Sequence, residues 1–448
     1  MKLYNSLSRN IEEFIPINKG EVKIYSCGVT TYDEIHLGHV RQAVVFDVFR
    51  KFLEYLGNKV IYVRNFTDID DKIIKKANES NRDPLELSDY YVKETVKDLR
   101  DLKVDDASYQ PKVTESIPEI IAFIETLIKK GFAYVVEGEV LFEVDKFSNY
   151  GKLSGRKTEN MVSADESVNK RKPYDFALWK PNKPGEPFWE SPWGPGRPGW
   201  HIECSAMAKR FLGDTIDIHG GGIDLMFPHH ENEIAQSEAA TGKKLANYWM
   251  HNGLVNVNGQ KMSKSLGNFY TVKDLLKKYT VDEIRLAVLS HNFSSSIDFS
   301  ERLFLNTRKK LYDLYKILAK IKNIREETEN KKVSKTGFEE IDKMEENFRE
   351  AMENNFNTRK AMITIFQAFY KTKEVLAIQD VTKQKETANS LMSQLKRITP
   401  IIRILDEEPE EYIKKVKTEY LKQIGMSEAK VESLLKERKK AKENKDYQ

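Results

Sequence analysis

Cys27-Gly28-Val29-Thr30-Thr31-Tyr32-Asp33-Glu34-Ile35-His36-Leu37-Gly38-His39 is the stretch around which the rest of the chain is read. An apolar alternating run, Val22 to Tyr25, precedes it and predicts a buried strand. Val40, Ala43, Val44, Phe46, Val48, Phe49, Phe52, Leu53 and Leu56 follow at helical spacing with a wide apolar face, and Gly57-Asn58 stops the helix. Val60-Ile61-Tyr62-Val63 predicts a second buried strand. The stretch is therefore the first strand-to-helix turn of a β-α-β unit, and the fold class is α/β. Ligands of open α/β sheets bind outside the carboxyl ends of such strands. Two His flank Leu37-Gly38 at a helix N-terminus, where free N–H groups and a positive partial charge favour phosphate. Gly38 lets a flat ring lie against the backbone. By themselves these four residues fit capping and packing as well as nucleotide binding.

Outward from this turn, the chain of 448 residues is 40% hydrophobic and 32% charged, which predicts two to four domains. No apolar run approaches the roughly 18 residues of a membrane span. The start, Met1-Lys2-Leu3-Tyr4-Asn5, is not that of a signal peptide. Two cysteines argue against a disulfide framework and for a cytoplasmic location. The net charge of +4 is unevenly divided: residues 306–448 carry about +7 and the remainder about −3. Such asymmetry fits a polyanionic partner; a solvated helical surface explains it equally. From 306 onward there are two Gly and two Pro, and Leu311, Leu314, Ile317 and Leu318 stand at helical spacing. That half is expected to be all-α.

After the second strand come Arg64-Asn65-Phe66-Thr67-Asp68-Ile69-Asp70-Asp71-Lys72, polar residues placed as the lip of a site, although Asp70 or Asp71 also suits a helix cap. Helical patterns fill 85–103 and 114–130, and a hairpin runs through Val135, Gly138 and Leu141. Residues 173–200 hold seven of the fourteen Pro and four of the five Trp: Trp179, Trp189, Trp193 and Trp200. Pro at that density forbids a helix, and the Trp argue against a disordered linker. An ordered loop bordering a cleft is expected, or one stapled to the core by its Trp. Trp200 to Met207 opens a helix. Thr215 to Ile218 predicts a short strand, and His219-Gly220-Gly221-Gly222-Ile223-Asp224 a tight turn from strand to site.

Phe227-Pro228-His229-His230-Glu231-Asn232-Glu233 opens a further helix, with His229 and Glu233 one helical turn apart on a single face. Cys27 and Cys204 lie in the same half of the chain. Two thiolates, one imidazole and one carboxylate make a tetrahedral zinc set. Each cysteine alone also reads as a buried hydrophobe. Beyond the turn Asn258-Gly259, Lys261-Met262-Ser263-Lys264-Ser265 has the composition of a loop able to reach phosphate oxygens, and by itself also reads as a plain surface loop.

Taken together, His36-Leu37-Gly38-His39 and Lys261-Met262-Ser263-Lys264-Ser265 resemble the paired signature of class I aminoacyl-tRNA synthetases. Cys27-Gly28, Asn65 to Lys72, Tyr150-Gly151-Lys152-Leu153-Ser154-Gly155, Gly199 to Met207, His219 to Asp224 and Phe227 to Glu233 resemble the cysteinyl branch of that family, in family order over roughly residues 1–300. Val29 stands where the family usually has proline.

The resemblance implies a Rossmann-type parallel-sheet catalytic domain (1–115 and 199–250) interrupted by a connective segment (116–198). A stem-contact segment with the lysine loop (251–304), a helical bundle that touches tRNA (305–400) and an anticodon-binding region (401–448), either naturally short or lacking its end, would follow. It implies ATP-dependent joining of L-cysteine to tRNA(Cys) through a cysteinyl-adenylate. In that scheme His36, His39, Lys261 and Lys264 are catalytic, and His36, Gly38, His39, Asp224 and Lys264 bind ATP. Cys27, Thr67, Trp200 and His219 border the cysteine, and Cys27, Cys204, His229 and Glu233 hold one Zn2+. Mg2+ accompanies ATP, and the chain acts as a cytoplasmic monomer without a membrane. Two other readings stay open: a related ligase joining cysteine to a small amine, and a non-catalytic RNA-binding paralogue. The first would not need the long helical half; the second would have little use for both phosphate signatures.

Overall fold

The computed structural model describes residues 1–156, 167–262, 268–324 and 335–443. A hairpin of β1 (Lys2–Asn5) and β2 (Asn10–Glu13) leads into β3 (Glu21–Thr30), α1 (Leu37–Tyr55) and β4 (Lys59–Thr67), the β-α-β unit expected from the sequence. Helices α2 (Asp71–Ser80), α3 (Pro84–Asp101) and α4 (Ile117–Lys129) follow. An antiparallel sheet then forms from β5 (Ala133–Val136), β6 (Glu139–Phe142), β7 (Phe176–Pro181) and β8 (Gly196–Pro198). The chain returns through α5 (Ile202–Leu212), β9 (Ile216–Gly222), α6 (Glu231–Thr241) and β10 (Ala246–Asn252). Next in sequence come β11 (Val255–Val257), β12 (Gln260–Lys261), α7 (Val272–Leu276), α8 (Val281–Leu289) and β13 (Ile297–Asp298). The rest is helical: α9 (Glu301–Ile324), α10 (Glu339–Asp342), α11 (Met344–Glu353), α12 (Thr358–Val375), α13 (Val381–Ile402), α14 (Pro409–Gln423) and α15 (Glu428–Glu443). The fold is thus α/β, with a parallel sheet and a helical C-terminal half.

The sheet that positions the site is parallel, in the order β10-β9-β3-β4. The chain leaves β3 to one side, through α1 to β4, and later returns on the other side as β9. A crevice opens where the order reverses, at the carboxyl ends of the strands. Val40, Val44, Val48 and Phe52 bury one face of α1 completely, which is the helical stripe the sequence displays. β3 and β4 pair Ser26 with Arg64 but Val29 with Phe66, so β3 carries one extra residue at Cys27-Gly28. Such a bulge re-aims a side chain. Here it brings Gly28 against the Asn65 carbonyl, where any Cβ would collide, and Gly28 N–H donates to Asn65 Oδ1 at 2.8 Å.

Two expectations are corrected. The glycines after His219 do not form a turn: they continue β9 to Gly222. A Cβ at Gly220 would strike the Phe46 ring, so glycine here serves close packing of helix on sheet. Residues 173–200 are not all loop, since β7 and the edge strand β8 lie within them. Pro198 is tolerated because β8 is an edge. Trp179 is fully buried, and Trp189 and Trp193 pack against the same core.

The described chain forms two compact units that interleave in sequence. One comprises residues 1–273, 288–299 and 350–359, the other 274–287, 300–349 and 360–448. In the first, Phe356 sets its ring edge on Phe49 at 5.0 Å, and Asn355 Oδ1 accepts from Tyr4 N–H at 2.8 Å. In the second, the buried carboxylate of Asp282 accepts from Tyr315 Oη at 2.7 Å and from Leu405 N–H at 2.9 Å, and Tyr315 stacks on Tyr412 at 3.8 Å.

Candidate active site

The carboxyl ends of β3, β4, β9 and β10 open on a cleft of about 340 Å³. Its wall includes His36, Gly38 and His39 from the start of α1, and Asp224 with Gly222 from the end of β9. Cys27, Thr67, Trp200, Cys204 and His229 line the same cleft.

The two signature histidines cap the helix they open. His36 Nδ1 accepts from Gly38 N–H at 3.1 Å, and His39 Nδ1 accepts from His36 N–H at 3.3 Å, a reciprocal box made of imidazoles. The rings stack at 3.9 Å. Capping and nucleotide binding are therefore not alternatives. Because Nδ1 accepts in each cap, a neutral ring carries its proton on Nε2, which makes each imidazole a donor at its outer edge. His39 is held neutral: burial, then its neighbour His36, pushes it well below the usual histidine range.

Below them lie four potential metal donors. One donor atom each from Cys27, Cys204, His229 and Glu233 falls within 4.8 Å of the others. The thiols approach at 3.7 Å, Cys27 Sγ is 3.4 Å from Glu233 Oε1, and His229 Nε2 is 3.2 Å from the same oxygen. His229 stands in a single π-type turn, Met226–His230, from which α6 continues; the turn keeps His229 and Glu233 on one face. A second set, Cys27, His219, His230 and Glu233, satisfies the same proximity.

Five of the eight histidines crowd this point, and the sequence reading used only two of them. His201 Nδ1 meets His229 Nδ1 at 3.0 Å, and His230 Nδ1 meets His251 Nε2 at 2.8 Å. His219 Nε2 lies 2.7 Å from Glu233 Oε2, with its ring stacked on Trp249. Burial pushes His229 and His251 down to about 3 and His230 well below its usual range, so these rings are neutral and keep lone pairs. Burial, together with the adjoining thiol, holds Cys27 well above the ordinary thiol range, and burial raises Cys204 as well. Burial would raise Glu233 too, but His219 and His229 pull it below the ordinary carboxylate range. Two protonated thiols, neutral imidazoles and one buried carboxylate suit a divalent cation, which would release the thiol protons on binding. Zinc's ligand types and tetrahedral number match this set.

The remaining predicted residues fall as follows. Thr67 ends β4 on the cleft and donates from Oγ1 to Glu203 Oε2 at 2.8 Å. Burial keeps Glu203 well above the ordinary carboxylate range. Trp200 faces the cleft with its ring 4.4 Å from that of His229. His219 is fully buried behind Glu233, not on the cleft wall. Lys261 ends β12 in a hairpin with β11 across Asn258-Gly259. Lys264 lies outside the described residues. Asp70 is the N-cap of α2, its carboxylate accepting from Lys72 N–H, as the capping alternative had it.

Sequence reasoning missed His201, Glu203, His230 and His251. The first three adjoin residues that were singled out, so adjacency was the available signal. It also missed Arg41, a buried guanidinium that donates to the carbonyls of Gly253, Leu254, Asn292, Phe293 and Ser295. Nothing in the spacing of α1 marks Arg41, since it occupies a position on the apolar face.

The chain is similar to known proteins over most of its length. Residues 13–309 match the family described as tRNA synthetases class I (C) catalytic domain. A cysteine–tRNA ligase of Syntrophobacter fumaroxidans is 44% identical over 462 aligned positions, covering 100% of this chain and 94% of the relative. One from Aquifex aeolicus is 47% identical, covering 89% and 83%. Among solved structures, methionyl-tRNA synthetase of Mycobacterium tuberculosis with methionyl-adenylate has a TM-score of 0.62 at 13% identity, covering 88% of this chain and 93% of that one. The LeuRS–tRNA–LeuAMS complex of Agrobacterium radiobacter has a TM-score of 0.64 at 10% identity, covering 90% and 86%. The structural likenesses establish the fold, and the curated relatives establish more: the chain belongs to the cysteine–tRNA ligases of the class I aminoacyl-tRNA synthetase family.

Proposed function

We propose that the chain charges tRNA(Cys) in two steps through a cysteinyl-adenylate, with a zinc ion selecting the cysteine thiol. The observation that carries this reading is that three of the four metal donors, Cys27, Cys204 and His229, line the same cleft as His36 and His39. A purely structural zinc would have no need of that shared wall.

In the first step the cysteine carboxylate oxygen attacks the α-phosphorus of ATP, and the bond to the pyrophosphate oxygen breaks. Negative charge grows on the phosphate oxygens, so placed donors act chiefly in the transition state. The Nε2–H groups of His36 and His39 are such donors, and Gly38 leaves room for the nucleotide beside them. Lys261 and Lys264 neutralise the departing pyrophosphate with the magnesium that accompanies ATP. Asp224 accepts from the ribose hydroxyls. In the second step a 3′-terminal ribose hydroxyl attacks the adenylate carbonyl, the bond to AMP breaks, and the hydroxyl proton is released.

Cys27, Cys204, His229 and Glu233 would hold the zinc, with His219 bracing Glu233 from behind. Zinc there would supply a soft Lewis acid that takes a thiolate sulfur in preference to a hydroxyl oxygen. Trp200 and Thr67 close the side of the cysteine pocket, and Glu203 orients Thr67. The pocket alone would separate serine from cysteine poorly, because the two are near-isosteres. The segments assigned by resemblance to the acceptor stem (251–304), to a tRNA-contacting helical bundle (305–400) and to the anticodon (401–448) complete the reading, with the chain acting as a cytoplasmic monomer.

The test is cysteine-dependent ATP–pyrophosphate exchange, followed by charging of purified tRNA. Exchange with cysteine and not serine, then charging, is expected. Exchange that proceeds with cysteine while tRNA stays uncharged would favour a small amine acceptor instead. Cobalt substitution tests the metal: added cysteine should change the sulfur-to-metal charge-transfer band and serine should not. A cobalt spectrum indifferent to cysteine would make the metal structural.

A further inference from the structure

The described chain resumes after the lysine motif at Asn268 and at once lies along the loop that opens α1. Leu37 N–H donates to Tyr270 O and Val272 N–H to Ile35 O, both at 3.3 Å. Phe269 sets its ring edge-on against His36 at 5.0 Å. Those two backbone bonds are at the long end of the normal range and so bind weakly. The strong link is one residue further on. Lys273 Nζ donates to Glu34 Oε1 at 2.6 Å and to Glu94 Oε2 at 2.7 Å, joining the loop before His36 to α3. All three side chains are only partly exposed, and the two carboxylates hold the ammonium charged well above the ordinary lysine range. Asp98, one helical turn beyond Glu94 and fully buried, adds a third negative charge that Lys273 offsets.

We infer that Lys273 is a positioning residue for the nucleotide half of the cleft: through Glu34 and Glu94 it clamps residues 269–272 against the start of α1 and so fixes the His36 ring. This deepens the proposed function and rests on its assignment of His36 to the phosphates. The cysteine half is built from Cys27, Thr67, Trp200 and His229, and none of these touches the clamp. Loss of Lys273 should therefore act on ATP and spare cysteine.

The test uses the full-length protein with Lys273→Met and Lys273→Arg, read by cysteine-dependent ATP–pyrophosphate exchange at varied ATP and at varied cysteine. Lys273→Met should raise KM for ATP roughly five- to tenfold and lower kcat, while KM for cysteine stays within about twofold and zinc content is unchanged. Lys273→Arg keeps the charge and should recover most of the loss. An unchanged KM for ATP, a parallel rise in both KM values, or an arginine variant no better than methionine would each overturn the inference. Should Lys273→Met fail to fold, Glu94→Gln decides by the same split, with a rise in KM for ATP of about two- to threefold expected. No exchange in the unmodified protein would instead overturn the reading of the site on which the clamp depends.

Discussion

Asp98 is 1% exposed, and neither carboxylate oxygen has a hydrogen-bond partner among the described residues. Burial pushes it up to about 6 from a usual 3.8. The folded state therefore prefers the protonated acid, and ionisation costs stability as pH rises through that window. Asp98→Asn should stabilise the protein by on the order of 1–2 kcal/mol above pH 6 and have no effect below pH 4, as read by urea unfolding across pH. A constant difference at all pH values would place the effect elsewhere. The proposed metal donors give the second test at this scale. Cys204→Ala should abolish stoichiometric zinc. His219 is hydrogen-bonded to Glu233, and His219→Asn should weaken zinc by roughly 10- to 100-fold in a metal-buffer titration. Of these residues Cys204 was legible from its neighbours in the sequence. Asp98 was not, because its meaning lies in being buried without a partner.

At the scale of the element, the first turn of α1 caps its own helix and, in the proposed function, also supplies the phosphate donors. Its apolar stripe was legible because burial on a sheet imposes a 3.6-residue period. Its cap was only half legible: the sequence offered capping or nucleotide binding, and the structure uses the inner nitrogen of each imidazole for the cap while both rings face the cleft. The two tasks can be separated. His36→Asn retains a good N-cap side chain and removes the outer donor, so thermal stability should hold while kcat for adenylate formation falls by on the order of 10²-fold. His36→Ala should lose the same activity and about 1 kcal/mol of stability besides. An asparagine variant with normal exchange would remove His36 from the chemistry. The glycines of β9 carry the opposite lesson. Three glycines in a row signal a turn by local rules, yet here they continue a strand, and the space their side chains would take is filled by Phe46 of α1 at Gly220, by His230 and Leu225 at Gly221 and by Asp224 at Gly222.

For the whole molecule, the positive balance beyond residue 306 finds a local focus in α15. This helix buries none of its side chains and includes Lys436, Arg438, Lys439, Lys440 and Lys442. Ending the chain before Ser427 should leave cysteine-dependent exchange within about twofold, since α15 buries none of its side chains. Binding of tRNA should weaken, and its salt dependence should flatten by about 0.7–0.9 in log–log slope for each phosphate contact removed. Unchanged tRNA affinity would show that the basic helix is only a solvated surface. Cutting at 306 is a poorer test than the sequence suggests, because residues 350–359 belong to the first compact unit through Phe356 and Asn355. No helix among the described residues is long and apolar enough to cross a membrane, in keeping with the absence of an apolar run.

Sequence by itself determined the elements and the residue types. Periodicity marked β3, α1 and β4, since alternation and helical stripes are local consequences of burying one face. Two separated signatures of the class I family and the candidate zinc set of Cys27, Cys204, His229 and Glu233 pointed to the chemistry proposed. Tertiary structure alone decided which atoms meet. The bulge at Cys27-Gly28, the packing of five histidines around Glu233, the five carbonyls gathered by Arg41 and the reach of Lys273 to Glu34 and Glu94 join positions up to about 250 residues apart. Such contacts leave no periodic trace in the chain, because each depends on where the sheet has placed a distant backbone and on what burial then does to a proton.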